Sequence, residues 1–175
     1  YYAQVLENIE IGSSWSSIYK DTILNILQLV FWPSFPFKKS SQDFVSGSLC
    51  EICLFQNRLN NTFWNNFRTR HNASLIAFLI SNSKGNQEAQ IKYFASYLLN
   101  KKMDFGVYVS RNPLFLDWLK NLIKTKTFQN ITILNLSDLD IRSFLAVRAA
   151  GADPVEHFQV LYEEKLRSKI REIES

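Results

Sequence analysis

Glu51 is the residue whose chemistry this sequence most needs to explain. It stands in Leu49-Cys50-Glu51-Ile52-Cys53-Leu54-Phe55, a run that would be largely apolar on both faces of a strand. A carboxylate in such surroundings must be paired, protonated or bound to a cation. Two readings stay open. One is an ion pair with a nearby Lys or Arg. The other is a metal-ligand position at the rim of a sheet. Divalent-metal phosphodiester hydrolysis draws two or three carboxylates and a lysine from neighbouring strands. The next apolar run, 74–81, holds neither an acid nor a lysine.

The other reactive residue types carry less. Cys50 and Cys53 have a C-x-x-C spacing, but alternation along a strand aims the two sulfurs at opposite faces, so they read as core-filling thiols. His71 and His157 have no identifiable Ser or Cys partner and read as surface or capping histidines. Ser83-Lys84-Gly85 is a turn, and no glycine-rich phosphate loop occurs, which excludes kinase, P-loop and dinucleotide-binding classes. Asn-x-Ser/Thr triplets at Asn60, Asn72, Asn130 and Asn135 read as chance in a chain rich in Asn and Ser.

The elements that would position Glu51 follow from spacing. Ile18, Thr22/Ile23, Ile26/Leu27 and Val30/Phe31 recur at helical intervals, predicting a helix over 17–31 that Pro33 stops. Residues 33–39 read as a loop. A buried strand is expected over 48–56, a short helix over 62–70 and a central strand over 74–81. A turn at 82–86 leads to a helix over 87–100, then a strand over 105–110. Asn112-Pro113 opens a helix over 113–124, and 131–134 is the last strand. A short helix over 138–148 closes at Ala150-Gly151. Asp153-Pro154 starts a final helix with Asp as N-cap and Pro at N1, its apolar stripe backed by Lys165, Arg167, Lys169 and Arg171. The expected class is an α/β sandwich with a mixed central sheet flanked by helices.

Composition bounds the rest. The chain has 175 residues, 46% hydrophobic and 14% aromatic, with 5 Gly, 4 Pro and 2 Cys. It can bury a real core and is not a disordered tail or a disulfide framework. Two cysteines favour a reducing, cytoplasmic (intracellular) setting, and no run reaches the roughly 18 apolar residues of a membrane span. The net charge of +4 permits an anionic partner without demanding one. The chain is read as a single domain over 1–175, with a lead-in over 1–12 and the C-terminal helix over 153–175. Starting at Tyr1 and not at a Met, it is expected to be a piece of a longer protein or a trimmed form of one.

Several of these features together resemble one family. Gly12…Trp15…Ile26-Leu27…Phe31, then Ser46-Gly47…Cys50-Glu51-Ile52…Asn57, then Phe63-Trp64, the 74–82 strand and turn, Tyr97-Leu98 and Phe105-Gly106-Val107…Ser110-Arg111 are similar in spacing and order to the restriction-endonuclease-like, PD-(D/E)XK nuclease superfamily. The likeness runs from Gly12 to the Asp153-Pro154 helix. It implies a restriction-endonuclease-like sandwich and puts the family's metal-binding Asp at Glu51, with the arginines before it at Leu49 and Cys50. The family's Glu and Lys of the next strand fall at Leu79 and Ser81, its following Asn at Asn82, its helical Gln near Tyr93, and the acidic position of its first helix near Lys20. With the second carboxylate and the lysine gone, the resemblance implies a degenerate, catalytically inactive module, a pseudoenzyme without cofactor. It would bind nucleic acid or scaffold other domains of its parent.

Two alternatives stand beside it. An active Mg²⁺-dependent DNA endonuclease would use Glu51 with Glu88 and a displaced Lys84 or Lys92. A protein-interaction domain would pair through its last helix, as a homodimer for example. The candidate contacts to DNA or RNA are Lys38, Lys39, Arg68, Arg70, Lys101 and Lys102, with further lysines at 120, 124 and 126. Aromatics among them, Phe37, Trp64, Phe67 and Trp118, would be placed to stack on bases.

Overall fold

The computed structural model describes residues 1–32, 36–45, 48–57, 62–71, 73–83, 87–111 and 128–174, leaving aside the side chains at 13, 37–45, 48–50 and 168–174. The elements run α1 (Tyr2–Asn8), a 3₁₀ turn (Ser13–Trp15), α2 (Ser16–Val30), β1 (Phe37–Val45), β2 (Ser48–Gln56), α3 (Thr62–His71) and β3 (Leu75–Ser81). They continue with α4 (Gln87–Asn100), β4 (Phe105–Ser110), β5 (Thr132–Ser137), α5 (Asp138–Ala149) and α6 (Pro154–Glu174). The five strands form one sheet in sequence order. β1, β2 and β3 are antiparallel neighbours, while β3, β4 and β5 run parallel, so the sheet is mixed. The expected α/β class with helices flanking a mixed sheet is what the chain adopts.

The strands alternate between two apolar layers. Cys53, Phe55, Phe78, Ile80, Phe105, Val107 and Val109 face the larger core, where α1, α2, α3, α5 and α6 insert Leu6, Tyr19, Ile23, Trp64, Phe144 and Phe158. Ile52, Ala77, Leu79 and Tyr108 face the other way, against Ile91, Phe94 and Leu98 of α4. Aromatic rings dominate the larger layer in edge-on contacts such as Phe31 with Phe144 at 5.5 Å and Phe67 with Phe105 at 4.8 Å. Each such pair is worth about 0.5–1.5 kcal/mol beyond area burial. On the smaller side, Gly106 is where α4 comes closest: a Cβ there would stand 2.6 Å from Phe94 Cζ.

Several sequence expectations need correction. Residues 37–39, read as loop, begin a nine-residue strand, Phe37–Val45, and the sequence reading placed no strand there. β1 is an edge strand that pairs only with β2, and its Lys-Lys-Ser-Ser-Gln-Asp interior carries no apolar alternation to announce it. Its register with β2 runs to Val45↔Ser48. In α2 the inward stripe is Tyr19, Thr22/Ile23, Ile26/Leu27 and Val30, whereas Ile18 is 47% exposed. β5 runs on to Ser137, past the expected end, and Asn135 is held in it by donating Nδ2 to Tyr108 O and Ser110 Oγ, both at 3.1 Å. The helix expected over 113–124 lies outside the described residues. The caps agree with expectation: Asp153 Oδ1 accepts from Val155 N at 3.0 Å, and Gly151, at φ 79°, ends α5.

Candidate functional site

Glu51 sits opposite Ile80 on β3 and Gln42 on β1. Alternation puts it on the Cys53/Phe55 side of β2, toward α2. Lys20 follows buried Tyr19 on α2, at the margin of that helix's inward stripe, and its Nζ donates to Glu51 Oε2 at 2.7 Å. Asp21 Oδ1 lies 3.4 Å from the same nitrogen but is well exposed. Both partners of the shorter contact are largely buried, with side-chain exposures of 17% for Lys20 and 10% for Glu51. Of the two readings of Glu51, the geometry is that of the ion pair.

The charges tune one another. Burial by itself lowers the Lys20 pKa, but the hydrogen bond and charge of Glu51, helped by Asp21, outweigh it and raise the pKa above its ordinary value. Burial, joined by the Glu51 charge, pushes the neighbouring Cys53 thiol up to about 12, so it is no nucleophile at neutral pH. Cys53 is free and buried, as expected of a core-filling thiol.

The positions aligned with the family's second carboxylate and lysine are elsewhere. Leu79 and Ser81 flank Ile80 in sequence and point to the α4 side, opposite Glu51. Ser81 Oγ donates to Gln90 Oε1 at 2.8 Å, Tyr108 donates its hydroxyl to the same oxygen at 3.1 Å, and Gln90 Nε2 reaches Ser83 Oγ at 3.3 Å. Gln90 is therefore the buried carboxamide of α4. Tyr93, three residues later, is half-buried beside the smaller core. The signal for Gln90 lies in the sequence: it occupies the helical stripe with Phe94 and Leu98, the only amide in that row.

Glu88 and Lys92 form an i,i+4 pair at 2.6 Å, each more than half exposed. They belong to α4, which covers the face of the sheet away from Glu51, so they do not join it. Lys84 lies outside the described residues. Among the described residues no three His, Cys, Asp or Glu side chains converge as a metal-holding group, and no described helix is long and apolar enough to cross a membrane. Asn82 ends β3 by donating Nδ2 to the carbonyls of Glu10 and Gly12 at 2.9 and 3.1 Å, so its work is to hold the lead-in to α2.

The candidate nucleic-acid contacts are scattered. Arg68 donates to Asn65 Oδ1 and, at 3.4 Å, to Asn57 O. Arg70 is exposed on α3 and lines a groove with Tyr162. Lys101 lies 6.0 Å over the Tyr97 ring, and Lys102 is exposed. The side chains of Lys38 and Lys39, and all of 120, 124 and 126, lie outside the described residues. Trp64 and Phe67 are buried core anchors, not stacking surfaces.

Two polar clusters escaped the sequence reading. His71 is not a surface or capping residue. It is buried, with Nδ1 2.9 Å from Asp104 Oδ1 and Nε2 2.6 Å from the Tyr162 hydroxyl. Burial raises the Tyr162 pKa, against the pull of Arg70. Its partners come 33 and 91 residues later, which no local pattern could reveal. His157 is half-buried and edge-on to Phe144 at 5.2 Å. The second cluster clamps α1 to the sheet. Arg111 bridges Asp138 at 3.1 Å, donates to the carbonyls of Leu6 and Ile9, and lies 5.1 Å over the Tyr19 ring. Tyr19 donates to Asp138 Oδ1 at 2.7 Å. Burial raises the pKa of Asp138 against the pull of Tyr19 and Arg111.

Comparison with known proteins returns no matching family model, no matching curated protein and no matching solved structure.

Proposed function

We propose that this chain is a catalytically silent module, resembling the restriction-endonuclease-like nucleases, that binds nucleic acid for a larger assembly. The observation that carries the reading is the 2.7 Å contact from Lys20 to Glu51. The carboxylate that a nuclease of this pattern would present to a metal is already neutralised by a resident ammonium. An ammonium at that spot competes with a divalent cation both for the oxygen and for the space. Nucleic-acid binding draws support from the excess of four positive charges and from Arg68 and Arg70 along α3.

The test uses labelled single- and double-stranded DNA with Mg²⁺, Mn²⁺ or EDTA, with Glu51→Ala as control. The expected result is salt-sensitive retardation without metal-dependent cleavage. Cleavage that requires metal and disappears in Glu51→Ala would refute catalytic silence.

One observation favours a second reading, a protein-interaction domain. Ile18 and Leu29 are exposed by 47 and 49% along α2, Trp15, just before it, by 37%, and Trp32, just beyond it, by 68%. Apolar groups gathered this way mark interaction surfaces. The final helix is a weaker candidate for that role, because its first half spends Val155, Phe158 and Tyr162 on the chain's own core. Self-association without nucleic-acid binding supports this reading.

A further inference from the structure

A groove of about 320 Å³ runs between α3 and α6, at the small end of the size range of ligand sites. On α3, helical spacing brings Phe63, Asn66 and Arg70 to one side; α6 opposes them with Gln159, Tyr162 and Glu163. The chemistry is zoned. Phe63 is half-buried and edge-on to Tyr162 at 5.8 Å, which fixes its ring while leaving part of it open. Gln159 commits Nε2 to Glu163 Oε1 at 2.7 Å, which leaves its carbonyl oxygen as an acceptor across from the Asn66 carboxamide. Arg70 supplies the cation.

The groove wall at Tyr162 is held from beneath. His71 Nδ1 lies 2.9 Å from Asp104 Oδ1. Its Nε2 lies 2.6 Å from the Tyr162 hydroxyl, which lines the groove together with Arg70. This chain, Tyr162 to His71 to Asp104, fixes the hydroxyl on the groove wall that Arg70 shares. Arg70 offers N–H donors for a bidentate partner.

We propose that this groove receives one unstacked nucleotide of a single-stranded nucleic acid, with its base against Phe63 and Asn66 and its phosphate at Arg70. The proposal rests on the nucleic-acid reading above and narrows it to a site and a strand state. A base offers a π-face and an edge with both donors and acceptors, which suits an aromatic ring flanked by two carboxamides and a carboxylate. A phosphate suits a guanidinium. A duplex has no free base to offer.

The test measures fluorescence anisotropy of labelled oligothymidylate, oligoadenylate and a mixed-sequence duplex with the full chain, in EDTA over a salt series. Variants are Phe63→Leu, Asn66→Ala and Arg70→Gln, with Lys92→Gln on α4 as control. Asn66 and Arg70 are exposed, so their variants keep the fold even if Phe63→Leu does not. Single strands are expected to bind more tightly than duplex. Phe63→Leu weakens binding by about 5- to 100-fold. Arg70→Gln weakens it for every sequence and lowers the salt slope by about one. Asn66→Ala changes the ratio of the two homopolymers, and Lys92→Gln changes nothing beyond about twofold. Tight single-strand binding that Phe63→Leu, Asn66→Ala and Arg70→Gln all leave intact overturns the groove and spares the nucleic-acid reading, as does a preference for duplex. A chain that binds neither strand form overturns both.

Discussion

Replacing Lys20 by Met would leave Glu51 in a largely buried strand without its ammonium counter-charge. With an effective dielectric constant of about 20, unit charges 2.7 Å apart attract by about 6 kcal/mol. Desolvating the two groups cancels most of this, which is why a buried pair adds little net stability while its half-removal is costly. Lys20→Met is therefore expected to cost about 3 kcal/mol, because the carboxylate remains. Glu51→Gln is expected to cost about 1–2 kcal/mol, since the freed ammonium is the more exposed partner and reaches water. The double variant Lys20→Met/Glu51→Gln should be milder than the sum by about 2 kcal/mol. Urea denaturation of the four proteins measures this cycle at neutral pH. Additivity within about 0.5 kcal/mol would mean that the two side chains do not sense each other. Lys20 would then not be the cation that neutralises Glu51.

Three further outcomes follow from named contacts. Gly106→Ala should destabilise by about 1–3 kcal/mol, because the new Cβ meets Phe94 at 2.6 Å and Leu98 at 2.8 Å; a Phe94→Leu change should recover part of the loss in thermal unfolding, and an unchanged midpoint for Gly106→Ala would show that α4 moves freely. Lys102 ends α4 at φ 57°, with Lys102 N bonded to Leu99 O and Met103 N to Leu98 O; Lys102→Gly removes the left-handed strain and should stabilise by about 0.5–1 kcal/mol, read as a raised urea midpoint. Stability should also fall in alkali. Tyr19, Lys20, Cys53 and Tyr162 all hold their protons more tightly folded than unfolded, so their contributions are complete below the unfolded pKa and fade as pH climbs through the folded one. Cys53, with an ordinary value of 9.0 and a folded one of about 12, opens the window. From about pH 9 the loss should reach about 1.4 kcal/mol per pH unit per group ionised only when unfolded. Urea midpoints that stay level up to about pH 11 would contradict this.

The sequence made most elements visible because their apolar residues repeat at 2 or 3.6, but it could not show what crosses between them. β2, β3, β4 and α4 face apolar layers and announce themselves. β1, polar along its interior and paired on one side, does not. Glu51 stood out as a carboxylate needing a counter-charge. Which cation supplies it depends on which edge of α2 meets β2, and the stripe read from Ile18 shares Thr22/Ile23, Ile26/Leu27 and Val30 with the observed one but misses Tyr19, the neighbour of Lys20. His71 shows the limit most clearly: its environment is made by Asp104 and Tyr162, each from a distant element, and neither the residue type nor its neighbours in sequence encode that meeting.

The parity of β3 bears most directly on function. Glu51 lies opposite Ile80, so the β3 side chains sharing its face are Ile76, Phe78 and Ile80, while Leu79 and Ser81 face α4. Moving Leu79 and Ser81 to the Glu51 side needs a one-residue slip of β3. That slip would carry Phe78 and Ile80 out of the larger core and turn Ala77 and Leu79 away from Phe94 and Leu98. The core thus holds the register, and a spacing likeness along one strand cannot override it. Yet the choice of register does not rescue a catalytic strand. Leu75–Ser81 reads Leu-Ile-Ala-Phe-Leu-Ile-Ser, with no carboxylate and no lysine on either face. Whichever positions are matched to a nuclease pattern, β3 brings no second metal ligand to Glu51, and the group that does arrive there, from α2, is an ammonium.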